Sequence, residues 1–198
     1  MNHRSIASLF GINRQRVRFI RALTLLCAGV LLALPASQAR AQEVIEVTGN
    51  ALRVFLPAAA WAATYVDQDG EGRDQFYWAL GSTVVTTVAL KLAVDSEGPD
   101  GQAYAFPSGH TSMAFSSASF IQRRYGWRYA WPIYGLAGVV GWSQLESDQA
   151  DWEDVVAGAA IGFAFTWLFV EPRPEDNPVE FSVNVAPDEY SVGVRWRW

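Results

Sequence analysis

A chain of 198 residues, about half of them apolar and 18% charged, can bury one sizeable core, which makes a single domain the default. The formal net charge of −5 is unevenly spread: the first 41 positions hold six of the fifteen basic residues and none of the twenty acidic ones. The remainder is strongly acidic, which argues against a nucleic-acid partner, because phosphate backbones attract clustered Lys and Arg.

Arg4, Arg14, Arg16, Arg18 and Arg21 precede the apolar run Ala22–Leu34, which is followed by Pro35 and the small-residue pattern Ala39-Arg40-Ala41. A basic region, a short apolar region and an A-x-A site predict a secretory signal peptide over 1–41, cleaved after Ala41. An uncleaved anchor is the alternative, but the apolar run is short for a bilayer crossing. The only cysteine, Cys27, lies inside that run, and Leu26 before it is too large for a lipoprotein signal. The reading is of an exported protein without disulfides.

Five apolar stretches follow, at 51–66, 76–94, 108–121, 127–145 and 154–170. Each is too long for an ordinary strand, so an all-α bundle of about five apolar helices is predicted. Their lengths fall just under the ~20 residues that cross a hydrocarbon core. Trp61, Trp78, Trp127, Trp131 and Trp142 near helix ends suit an interfacial belt and favour membrane embedding. The rival reading is a soluble bundle whose central helices are apolar because they are buried. Arg123, Arg124 and Arg128 between the third and fourth helices would lie in the cytoplasm by positive-inside bias, with loops 95–107 and 146–153 facing the periplasm. The segment Asp67–Asp74, on the cytoplasmic side in this scheme, is mostly acidic and is not explained by that rule.

Residues 42–170 thus form the helical domain. Pro172, Pro174 and Pro178 open a linker within 171–198, and two alternating segments, 181–185 and 190–198, predict a short C-terminal β-hairpin turning at Pro187-Asp188-Glu189. Such a hairpin could cap the helical domain or contact a protein partner.

The chemistry concentrates at helix ends. In Phe106-Pro107-Ser108-Gly109-His110-Thr111, Ser108 is placed as an N-cap and Gly109 allows close backbone approach. The free N–H groups and positive dipole end of that helix would cradle an anion, and His110 in its first turn could protonate a leaving oxygen. A Ser-Gly pair at a helix start is common and a lone His is usually structural. Two counts favour function: Lys91 is the only lysine in the chain, and His110 is the only histidine besides His3. Lys91 ends one helix where His110 begins the next, on the same side. Asp151 and Asp154 open the last helix on that side too, where capping is the competing explanation.

Lys91, Pro99, Pro107-Ser108-Gly109-His110, Ser143 and Asp154 stand at the spacing of the three signature motifs of the type 2 phosphatidic acid phosphatase and haloperoxidase superfamily. The resemblance covers about 51–170, Gly158 and Gly162 included. It implies a helical bundle and a site without metal or cofactor. Lys91, Ser108 and Gly109 would hold the phosphate of a lipid phosphate or other phosphate ester, His110 would protonate the leaving group, and Asp154 would orient a nucleophilic His.

Three positions depart from the family pattern. Gly98 and Gln144 stand where its two Arg belong, and Ala150 stands where its nucleophilic His belongs. Alanine has no lone pair to attack phosphorus, and losing a covalent nucleophile can cost about a million-fold in turnover. The expectation is therefore a phosphatase-like membrane protein with a phosphate pocket and impaired catalysis. An active phosphatase using His110, Asp148 or Asp151 as nucleophile, and a purely structural or interaction protein, are the alternatives.

Overall fold

A computed structural model of the chain describes residues 38–99, 101–173, 179–186 and 189–196, with side chains over 43–99 and 101–173. The predicted signal segment up to residue 37, the linker prolines Pro174 and Pro178, and the expected turn residues Pro187 and Asp188 lie outside the described residues. Five helices run α1 (Gln38–Val66), α2 (Gly70–Val94), α3 (Gly109–Tyr125), α4 (Trp127–Glu146) and α5 (Trp152–Phe169). Two segments, β1 (Val179–Ala186) and β2 (Glu189–Trp196), pair antiparallel with Val179 opposite Trp196 and Ala186 opposite Glu189.

Among the described residues the helical count agrees with the sequence and α4 starts at Trp127 as expected, but α1 and α2 start well before their expected positions. α1 begins at Gln38 rather than Ala51, so the expected cleavage point after Ala41 falls in its first turns. Ile45, Leu52, Leu56, Ala60 and Ala63 form one buried stripe at helical spacing, which carries the helix back past Ala51 as far as Ile45. α2 starts at Gly70 rather than Phe76 because the Asp69 side chain caps it, accepting from Gly72 N at 2.9 Å. α3 continues past Ile121 to Tyr125 because Arg124, polar in sequence, is buried there in an ion pair.

α3 is the central helix and touches all four others. Its inward positions are small: Ser112, Ala114, Ser116, Ser117, Ala118 and Ser119 are all buried, and Phe120 fills the far end against Phe76 at 4.9 Å. Gly158 and Gly162 of α5 face this seam. A Cβ at Gly158 would overlap the Ser108 carbonyl, and one at Gly162 would overlap the Ser112 carbonyl. Small residues spaced by four let two helix backbones approach this closely. The hydroxyls exposed by that approach are paired, Thr87 to Ser112 at 3.1 Å and Ser116 to Thr166 at 3.3 Å. No buried side-chain polar atom among the described residues lacks a partner.

Candidate phosphate site

The helix polarity gathers one end of the bundle into a site: the last turn of α2, the first turns of α3 and α5, the end of α4 and the middle of α1. Ser108 takes extended backbone geometry and caps α3, its Oγ accepting from Thr111 N at 3.4 Å. Ser108 N donates to the carbonyl of Asp154 at 3.0 Å, which ties the start of α3 to the start of α5. Asp154 closes a capping box, its Oδ2 accepting from Asp151 N at 2.9 Å. That bond engages Asp154 in helix capping. Asp148, at positive φ, is exposed.

Lys91 reaches the same place from α2. A Cβ added at Gly109 would lie 3.8 Å from its Cε, an ordinary contact, which places the lysine stem directly beside the start of α3. Its Nζ donates to the carbonyls of Tyr104 (2.6 Å) and Ala105 (2.9 Å). Those carbonyls belong to a folded loop in which Gly98 N donates to Gln102 O at 2.8 Å and Ala105 N to Ser96 O at 3.0 Å. Lys91, Ser108, Gly109, His110 and Asp154 are thus brought to one end of the bundle.

Ala150 and Gln144 are both buried, and Ala150 N donates to Gln144 O at 3.2 Å. Gln144 Nε2 donates to Gln149 Oε1 at 3.3 Å, and Gln149 Nε2 donates to Glu46 Oε1 at 2.9 Å. The amide of Gln144 and the methyl of Ala150 therefore stand at the positions where the family pattern has a cation and a nucleophile.

The first motif-free helix also contributes, which sequence reasoning missed. Asn50 and Arg53 of α1 reach His110: Arg53 Nη1 lies 2.6 Å and Asn50 Oδ1 lies 2.9 Å from its Nε2. A guanidinium can only donate, so Nε2 accepts from Arg53 when unprotonated, or donates to Asn50 when it carries hydrogen. It cannot do both. Burial first, then the positive charges of Arg53 and Lys91, depress the His110 pKa from 6.5 to about 4. No local sequence signal marks Asn50 or Arg53, which lie 60 and 57 positions before His110.

With this geometry in view, the model of the PAP2 superfamily matches residues 31–177. The chain belongs to the PAP2 superfamily. It is 30% identical over 173 residues to a lipid A 4'-phosphatase of Helicobacter pylori, covering 78% of this chain and 86% of that protein. It is 25% identical over 129 residues to a lipid A 1-phosphatase of the same species, covering 60% of this chain and 68% of the relative. The crystal structure of Aquifex aeolicus LpxE superposes with a TM-score of 0.51 at 20% identity, over 64% of this chain and 92% of that one, which is a likeness of fold. As a PAP2 chain it thus sits within a family that includes lipid phosphatases.

Proposed function

We propose that this PAP2 protein is a membrane-embedded binder of phosphorylated lipids, of the lipid A type on which its relatives are named to act, with impaired hydrolytic turnover. The observation that carries the reading is Ala150, buried beside Gln144 in the nucleophile's place. The remaining histidine of the site, His110, is the family's proton donor rather than its nucleophile. Lys91, Ser108 and Gly109 remain to bind phosphate, and no metal or organic cofactor is required for that.

Membrane embedding rests on where the apolar surface lies. Among the described residues α2 and α5 are long and apolar enough to cross a bilayer, and little of either span is buried within the bundle. Trp78, Val85, Leu92, Trp167 and Leu168 are exposed on these two helices, apolar surface that water disfavours. Trp61, Trp78, Trp127 and Trp131 gather toward one end of the bundle and Trp142 and Trp152 toward the other, as two interfacial girdles would. The proposed topology keeps the arginine end in the cytoplasm and the pocket in the periplasm after export.

Phosphate release from a generic phosphomonoester and from bisphosphorylated lipid A, with the full chain in detergent, tests the reading. The expected rate does not exceed that of His110→Ala, while lipid-bearing micelles are retained by the protein. Turnover well above that control would overturn the impairment. A reporter fused after Arg173 is expected to report the cytoplasm, and a periplasmic signal would invert the topology.

A further inference from the structure

Two cations are missing from the phosphate pocket at Gly98 and Gln144, and a third position supplies one. We infer that Arg53 of α1, which meets His110 beside Asn50's own contact to that ring, is a phosphate-binding residue of this chain that replaces a lost motif arginine. The inference rests on the pocket being a phosphate site, as proposed above.

Three observations place Arg53 there. Gly49, one turn before, packs so closely on α4 that a Cβ would overlap the side chain of Ser143, the serine at the third-motif position. That contact orients α1 so that Leu52 enters the core while Arg53, four residues on from Gly49, lies outside it beside His110. Arg53 Nη1 sits 2.6 Å from His110 Nε2, the atom that would hold the leaving-group proton. Among the described residues, no carboxylate pairs with Arg53. A guanidinium held against an imidazole without a counter-anion is an unfavourable pair of like groups once the ring is protonated. A phosphate dianion between Arg53, His110 and Lys91 would relieve it, and Arg suits this role because its fork matches phosphate oxygens. Arg53 is otherwise solvent-exposed, so no core packing depends on it.

Orthovanadate titration of the full chain in detergent, with the His110 ring followed by NMR, tests this. Arg53→Ala is expected to weaken orthovanadate binding about tenfold or more, with partial recovery in Arg53→Lys, on the scale of one lost charge-assisted contact. The same variant should raise the His110 pKa of the free protein, and orthovanadate should raise it in the unaltered chain. The His110 shift in the free protein reports the nearness of the Arg53 charge, whereas a merely structural Arg53 would leave orthovanadate affinity unchanged on substitution. Unchanged affinity in Arg53→Ala beside a loss in Lys91→Ala would overturn the role of Arg53 and leave the pocket standing. No orthovanadate binding by the unaltered chain would overturn the pocket itself. Vesicles doped with phosphatidate provide the second arm. A defect shared by vesicles and orthovanadate marks the phosphate group, whereas a defect with vesicles alone would overturn the inference by showing that Arg53 reads the bilayer surface.

Discussion

Arg124 grips Asp69 with two nitrogens, Nε to Oδ2 and Nη2 to Oδ1, both at 2.7 Å, at the end of the bundle opposite His110. Tyr125 adds a donor to the same carboxylate at 3.1 Å, and Glu71 approaches Arg124 at 3.3 Å. Arg173 pairs with Asp67 at 3.0 Å nearby. Within the acidic 67–74 segment, Asp69 and Glu71 are therefore counter-charges of Arg124, and Asp67 is that of Arg173.

Removing one partner of this buried pair leaves the other uncompensated. Arg124→Met is expected to destabilise the chain by about 3–5 kcal/mol, read as a lower midpoint of denaturation in detergent. Orthovanadate affinity should persist below that midpoint, because the pair is remote from the pocket.

The same pair predicts an acid limb. Desolvation alone would raise the Asp69 pKa, but the Arg124 hydrogen bond and charge, with the Gly72 amide and Tyr125, outweigh it and bring the value from 3.8 down to about 2. A carboxylate held low in the folded state stabilises fully above its unfolded pKa and loses that contribution as pH falls toward the folded value. Thermal stability should thus drop between about pH 4 and pH 2 in the unaltered chain, and Asp69→Asn should flatten that drop. An unchanged acid profile in Asp69→Asn would assign the limb to other carboxylates.

Gly162→Val places a branched side chain against the Ser112 carbonyl and should cost about 1–3 kcal/mol or prevent folding, measured by denaturation midpoint. Gly158→Ala is the milder change. It presses on the carbonyl of Ser108, so its expected signature is weakened orthovanadate binding with the helical content retained.

Restoring the family pattern with Gly98→Arg, Gln144→Arg and Ala150→His together should raise phosphomonoester turnover about a hundredfold or more over the unaltered chain, since nucleophile and charge stabilisation act as one unit. Ala150→His alone should gain far less, because the neutral amides of buried Gln144 and half-buried Gln149 would still border the new ring. Equal rates for the triple variant and the unaltered chain would show that more than motif residues separates this scaffold from its relatives.

Local patterns in the sequence determined the five helices, the capping serine at Ser108 and the set Lys91, His110 and Asp154 at neighbouring helix ends, because apolar periodicity, capping and motif spacing are properties of short segments. Only the tertiary structure decided that α1 starts before Ala51 with a buried stripe reaching back to Ile45, and that Asn50 and Arg53 meet His110. It also decided that Asp69 answers Arg124 across 55 positions. The direction in which a helix points its side chains depends on how it docks, and here the docking is set by Gly49 lying against Ser143, two residues whose relation no local pattern encodes.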